Sequence, residues 1–329
     1  MTTYELVGIG NAVVDVITQA DDSFLDNMSI EKGIMQLVEQ DRAEALYGAM
    51  QDRVQTPGGS VANTIAGAGA LGMKTAFIGR VRDDGLGRFY ASAMADHGID
   101  FVNPPVPEHE TPTSRSMIFV TPDGERSMNT YLGISTGLTS KDVPNEVAGN
   151  AKLMFLEGYL FDHDAGKSAF REAARDTKAG GGKSGIAISD PFCVERHRDD
   201  FLSLIKHDLD FVIGNEAELR SLFETDDLEL AIARTTEICP IVVCTRSGDG
   251  VTIIRDGERV DIPVTNVVPV DATGAGDQFA AGFLFGLSRG AALDVCGQMG
   301  NLCAGEVISH IGPRPQKDML AEFKAAGLI

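Results

Sequence analysis

The sequence predicts a doubly wound α/β fold: a mostly parallel sheet with helices on both faces and a small β lid, in one domain over 1–329. Three observations predict it. From about Ala151 the chain alternates strand and helix four times, a rhythm that calls for a mostly parallel sheet buried on both sides. The first 135 residues break that rhythm with short two-stranded excursions, which read as a lid on the sheet edge. At 329 residues, 43% hydrophobic and 23% charged, the chain is long enough to bury one large core or two smaller ones.

Taken in order, Leu6 to Val16 reads as a short buried strand interrupted by Gly8 and Gly10, with Asn11 and Asp15 as its polar members. Asp21 to Gln40 mixes acidic and apolar residues and reads as an excursion from the main sheet. The spacing of Ala43, Leu46, Tyr47 and Met50 predicts a helix over 41–50. Pro57-Gly58-Gly59-Ser60 reads as a tight turn, and Val61 to Leu71 as a helix of small residues that lets a backbone or ligand approach closely. Gly58 and Gly59 would expose N–H groups, with Asn63 one turn into the helix facing the same space. A closely packed helix with no ligand fits that stretch equally.

Thr75 to Val81 is a buried strand and Gly87 to His97 a helix. Thr113 to Val120 and Ser127 to Leu132 flank a hairpin turn, Pro122-Asp123-Gly124-Glu125. The lid is therefore assigned to discontinuous segments, about 11–37 and 111–132. The alternation that follows runs LMFLEGYLF and a helix through Arg175; GIAISD and Phe201–Ile205; DFVIGN and Glu216–Phe223; then IVVCT and a loop.

The last unit carries the chemistry. An apolar strand (Val267, Val268, Val270) ends at Asp271, the turn Gly274-Ala275-Gly276 follows, and a helix opens on Asp277 with Phe279, Ala280, Phe283 and Leu284. Strand, glycine turn and helix leave unpaired N–H groups at a helix N-terminus, which bind anions. A carboxylate there would repel the guest. The pairing makes sense if Asp277 takes a proton from a hydroxyl that attacks phosphorus while the turn holds the charge developing on the phosphoryl group. A plain helix cap and turn fit the same four residues.

Composition narrows the classes. A net charge of −20 and a pI near 4.6 argue against nucleic-acid and anionic-membrane partners. A phosphate-bearing ligand would then need local positive potential from Mg²⁺, an alkali ion, Lys or Arg, or helix ends. The five cysteines form no C-x-x-C pair and read as buried free thiols. Met1 to Tyr4 leads directly into strand-like LVGIG, and no apolar run approaches membrane-spanning length, so a cytoplasmic protein is expected. Three glycine stretches are decoys. Gly180–Ser184 precedes a strand and lacks the P-loop's first glycine, Gly67–Gly72 lies inside a helix, and Gly8-Ile9-Gly10 lacks a third glycine. The six histidines have no metal-ligand spacing.

GGSVANTIAGAGALG at 58–72 and DATGAGDQFAAGF at 271–283 resemble the two signatures of the phosphofructokinase-B (PfkB) family, which includes ribokinase and adenosine kinase. Asn215-Glu216-Ala217-Glu218 resembles its N-x-x-E motif. The resemblance covers nearly the whole chain and implies a ribokinase-like fold.

It also implies roles. Asp277 would be the general base, with Gly274, Ala275 and Gly276 as the anion hole. Asn11, Asp15, Gly58, Gly59 and Asn63 would hold sugar hydroxyls. Asn215 and Glu218 would order Mg²⁺ and its waters around ATP, Glu218 through water. Asp271 and Thr273 would build a monovalent-cation site, so activity should rise with K⁺. Thr245, Ser247, Gly248 and Gly250 would line the nucleotide loop, with Ser247 replacing the usual glycine, and Asn301 would lie near the adenine.

The runs GIGNAVVDVI, LEGYLF, DPF and FVIGNEAE resemble adenosine kinases more than ribokinases. Leu37, Met128 and Tyr159 would then form apolar walls for a purine, and Arg126 would reach the transferred phosphoryl group. Met35 stands where adenosine kinases tend to carry a glutamine. The expected reaction is γ-phosphoryl transfer from ATP to a primary hydroxyl of a ribose-like ring, adenosine to AMP. A ribokinase, fructokinase or 2-keto-3-deoxygluconate kinase type is the alternative, and a catalytically silent nucleoside binder a further one. A monomer or homodimer is expected. A purine needs an apolar slot and a bare sugar polar groups; the sequence holds both kinds of residue without placing them.

Overall fold

The computed structural model describes residues 4–264 and 267–329. Its strands are β1 (Tyr4–Ile9), β2 (Val13–Gln19), β3 (Met35–Leu37), β4 (Val54–Gly58), β5 (Thr75–Ile78), β6 (Asp100–Phe101), β7 (Ser114–Val120) and β8 (Arg126–Tyr131). They continue with β9 (Ala151–Glu157), β10 (Lys183–Ala187), β11 (Phe211–Asn215), β12 (Ile241–Thr245), β13 (Val251–Arg255) and β14 (Glu258–Ile262). One sheet has the order β14-β13-β12-β11-β10-β9-β1-β5-β6. It is parallel from β12 to β6 and antiparallel only at β12–β13 and β13–β14.

Alternation along the strands explains why helices cover both faces. Leu6, Leu153, Phe155, Phe211, Ile213, Ile241 and Val243 pack into one core, with Val61, Ile65, Phe279, Phe283 and Met299 from helices. Their neighbours Val7, Met154, Leu156, Val212, Val242 and Cys244 pack into the other, with Phe170, Phe201, Leu219 and Ile232. Side chains two apart share a face, so continuous apolar strands serve two layers at once. All five cysteines are buried and free. Among the described residues no helix is long and apolar enough to cross a membrane.

The second sheet has the order β3-β8-β7-β2-β4. Its rows follow from register: Asp15, Thr56, Ser116, Thr130 and Leu37 share one row and one face. The next row on that face is Ile17, Val54, Ile118, Met128 and Met35. The opposite face carries Val14, Val16, Met117 and Phe119 into the core with Leu25 and Leu46.

Four expectations are corrected. Val267–Val270 is not a strand: the place beside β12 is taken by the β13–β14 hairpin, the Val270 N–H bonds to Ile308 O at 2.7 Å, and Val268 and Val270 are 84% and 61% exposed. That hairpin replaces the loop expected after IVVCT; Asp256-Gly257 sits between alternating apolar residues with positive φ at both positions. Leu6–Val16 is two strands in two sheets, with the chain crossing at Gly10–Ala12. Pro57-Gly58 is the end of edge strand β4 rather than a turn, so the second sheet draws on a third segment besides 11–37 and 111–132.

Candidate active site

From β1 the chain winds outward through β5 to one side and through β9, β10 and β11 to the other. Such a reversal leaves a crevice beyond the carboxyl ends of the two central strands. Asn11 just past β1 and Glu157 at the end of β9 meet there. Glu157 Oε1 accepts the Asn11 amide N–H at 3.1 Å and Asn11 Nδ2 at 2.8 Å. Its Oε2 accepts the Val61 N–H at 3.0 Å, at the start of the helix Ser60–Ala70. Burial pushes the Glu157 carboxyl up to about 7. Asn11 Oδ1 accepts Ser135 Oγ at 2.8 Å, so most of this amide's capacity holds the scaffold. Gly58 and Gly59 are required by close approach: a Cβ on Gly58 would lie 2.5 Å from the Asp15 carboxylate, and one on Gly59 2.2 Å from Asn11 O.

The helices Ser60–Ala70 and Ala275–Ser288 bring their N-termini together on Asp277. Ser60 Oγ donates to Oδ1 at 2.6 Å and Asn63 Nδ2 to Oδ2 at 3.1 Å. Burial pushes the Asp277 carboxyl up to about 6 in spite of these two donors. Asn63 Oδ1 is buried with no partner. Gly274 caps the second helix at φ +80 and packs on Pro313, a conformation and a space that exclude a side chain. The Ala275 N–H bonds to Ala272 O at 3.2 Å. Among the described residues the N–H groups of Gly274, Gly276 and Asp277 have no protein acceptor, so the free donors differ by one residue from the expected set.

Asp15 faces the crevice from the second sheet, and among the described residues no donor meets its carboxylate. Burial pushes it up to about 7, opposed by the charges of Arg126 and Arg314. Arg314 Nη2 donates to Pro57 O at 2.8 Å while its Nε and Nη1 are buried without partners. Arg126, at the far end of the same face, pairs with Asp271 at 2.7 Å. The second sheet therefore touches the body at both ends of its inner face. Leu37 and Met128 lie on that face, whereas Tyr159 lies on the body, where burial and Asp190, Glu157, Glu218 and Asp277 raise its hydroxyl. Met35 is on the inner face; Gln36 faces away and donates to Asn129 Oδ1 at 2.8 Å. A one-residue offset turns a strand side chain to the other side, so Gln36 does not replace the missing glutamine.

A cavity of about 130 Å³ joins the two halves of the site, lined among others by Ser60, Asp277, Gly276, Ser189, Asn215, Glu218 and Thr245. Asn215 caps the helix Glu216–Phe223 in a reciprocal box: its Oδ1 accepts the Glu218 N–H and Glu218 Oε2 accepts the Asn215 N–H, both at 2.9 Å. Glu218 is only 7% exposed, and burial pushes it up to about 7. No group of three acidic, His or Cys side chains forms a metal cage among the described residues. Mg²⁺ held by phosphates, waters and one carboxylate needs none, so Glu218 on the cavity wall fits that ion. Ser247 and Gly248 form the exposed β12–β13 loop, and Gly250 leads into β13. Ser247 has φ +46, the region that favours the glycine it replaces. Asn301 Nδ2 donates to Pro263 O at 2.9 Å.

Sequence reading missed Glu157, Ser60 and Arg314. Glu157 carried a usable signal: a lone acid closing the apolar run Leu153–Leu156 at the carboxyl end of a parallel strand. Arg314 carried none, since a loop arginine is ordinarily solvated.

Comparison with known proteins agrees with this architecture. Residues 26–318 match the pfkB family of carbohydrate kinases. The structure resembles a probable sugar kinase from Rhizobium etli CFN 42, with 42% identity, complete coverage of both chains and a TM-score of 0.91. It resembles adenosine kinase from Sinorhizobium meliloti with 44% identity, 98% and 99% coverage and a TM-score of 0.89. A fructokinase from Klebsiella pneumoniae is 30% identical over 246 residues, 71% of this chain and 78% of that one.

Proposed function

The chain belongs to the pfkB family of carbohydrate kinases and is a phosphotransferase acting on a sugar or nucleoside hydroxyl, and from that premise we propose that it transfers the γ-phosphoryl group of ATP to the primary hydroxyl of adenosine. One observation carries the choice of acceptor. The inner face of the second sheet divides into a row that is polar except for Leu37 at its end (Asp15, Thr56, Ser116, Thr130) and a row that is apolar throughout (Ile17, Val54, Ile118, Met128, Met35), about 7 Å apart along the strands. A ribose diol suits the first row and a purine the second. A bare sugar leaves the second row without a partner.

In this reading the polar row and Asn63 seat the ribose so that its primary hydroxyl meets Asp277. The carboxylate takes the hydroxyl proton as the oxygen attacks phosphorus, and the free N–H groups of the turn and the helix dipole receive the charge spreading over the phosphoryl oxygens. Glu218 would hold the water shell of Mg²⁺, which would supply neutralisation of the phosphate charge. Thr245 lines the cavity that the triphosphate would enter, and in this reading the loop 247–250 that follows it would meet the nucleotide.

The test is ADP release by purified protein against adenosine, ribose, fructose and 2-keto-3-deoxygluconate. Adenosine is expected to give the highest kcat/KM. A higher value for any bare sugar overturns the acceptor assignment, and thermal stabilisation by adenosine without ADP identifies a silent binder. Asp15→Ala is expected to raise the acceptor KM about 10- to 100-fold, the loss of charge-assisted hydrogen bonds, with the KM for ATP unchanged. Equal changes in both constants would place Asp15 outside the acceptor site.

A further inference from the structure

The alkali-ion site expected at Asp271 meets an obstacle. A carboxylate offers about four lone-pair positions. Oδ1 accepts the Thr273 N–H at 2.9 Å. Oδ2 accepts the Gly312 N–H at 3.0 Å and Arg126 Nη1 at 2.7 Å. Burial opposes ionisation of Asp271, but these donors and the Arg126 charge outweigh it and hold the carboxyl below its ordinary range. A cation on this carboxylate would have only the position left on Oδ1, or would have to displace a donor from Oδ2, and in either place it would stand beside the Arg126 guanidinium. The two side chains are only 10% and 11% exposed, so little water screens that repulsion. The residues as placed do not fit an alkali ion.

We propose that Arg126 stands in for the alkali ion: its guanidinium, delivered by the second sheet, supplies the positive charge that fixes Asp271 and the turn behind it, so turnover needs no monovalent cation. The inference rests on reading the turn 274–276 as the phosphoryl site. Three features carry it. Arg126 opens β8 and Asp271 lies 145 residues on, so the pair forms only with the second sheet seated on the body. Asp271 anchors both sides of the turn, bonding Thr273 before Gly274 and Gly312 beside the Pro313 that packs on it. In a chain of net charge −20, an uncompensated Asp271 would weaken the potential that an incoming phosphate needs. Arg126 keeps Nε buried without a partner, a donor still available to an anionic oxygen. Seating the second sheet and charging the turn thus become one event.

The test compares K⁺ with choline at equal ionic strength, reading both turnover and the melting temperature of the substrate-free protein. The unaltered protein is expected to respond to K⁺ in neither. Arg126→Met is expected to lose about 10-fold or more in kcat in choline, to recover several-fold in K⁺, and to gain a K⁺-dependent rise in melting temperature. Arg126→Lys, which keeps the charge, should remain indifferent to K⁺. Several-fold K⁺ activation of the unaltered protein with a K⁺-dependent melting shift overturns the inference. So does an Arg126→Met protein whose rate and melting both ignore K⁺. If no acceptor gives turnover in either salt, the phosphotransfer reading fails on its own, and the melting comparison still decides the cation question.

Discussion

Replacing Asp277 by asparagine is expected to lower kcat by about a thousandfold, the usual scale of a positioned general base, while acceptor affinity changes little. Asparagine keeps the size of the side chain and an oxygen to accept from Ser60 Oγ, now at 2.6 Å from the carboxylate. Its NH2 faces the Asn63 amide, which can turn over to present the oxygen that now lacks a partner, so the scaffold is kept and the proton acceptor is lost. The pH profile supplies an independent check. Burial pushes the Asp277 carboxyl up to about 6, so the base is half-protonated there and kcat/KM should fall as pH drops through that value. The Asp15 carboxyl, raised to about 7, must also be charged to grip a diol and adds to the same acidic limb. Residual activity of Asp277→Asn should lose the lower of the two inflections. Turnover within tenfold of the unaltered enzyme, with the limb intact, would assign proton removal to another group.

What was legible in the sequence was what is local. Gly58, Gly59 and Asn63 lie within six positions, and Gly274 to Asp277 within four, so spacing alone could single out each stretch, though plain packing and a plain helix cap fitted them as well as a cradle. The structure adds that both cradles face the same carboxylate. The regular alternation after Ala151 was legible because parallel strands must be apolar on both faces. The errors share one physical cause, which is that strand pairing is nonlocal. Val267–Val270 has strand composition but pairs with no strand, whereas Val54–Gly58 contains Pro57 and Gly58 yet finds an edge beside β2. The contacts of Glu157 and Arg126 escaped for the same reason: their partners lie 96 to 146 residues away, beyond any periodicity. The acceptor-facing rows likewise appear only once the register of four strand pairs is known.

The substrate-free protein should grow less stable as pH rises from about 5 to 8, opposite to its activity. Four carboxyls are raised chiefly by burial: Asp15, Glu157 and Glu218 to about 7 and Asp277 to about 6. Their unfolded values lie near 4. The native state therefore binds more protons than the unfolded chain across this window, and stability is lost as pH climbs through the native values. A tenfold difference in proton affinity between the two states is worth about 1.4 kcal/mol, so even a fraction of these differences over four groups reaches several kcal/mol. Melting temperature is expected to be at least about 5 °C higher at pH 5.5 than at pH 8. Repulsion within a chain of net charge −20 has the same sign, but salt screens it and leaves the buried groups alone. The slope should thus persist in high salt and flatten in Asp15→Asn. It should also flatten when the acceptor is bound, because substrate hydroxyls donate to the charged carboxylate and lower its pKa. A flat profile without ligand would mean that donors to these groups offset the cost of their burial. A steep one means that the protein holds these buried carboxylates at a cost to stability, of which the substrate relieves the part that falls on Asp15 and Asp277.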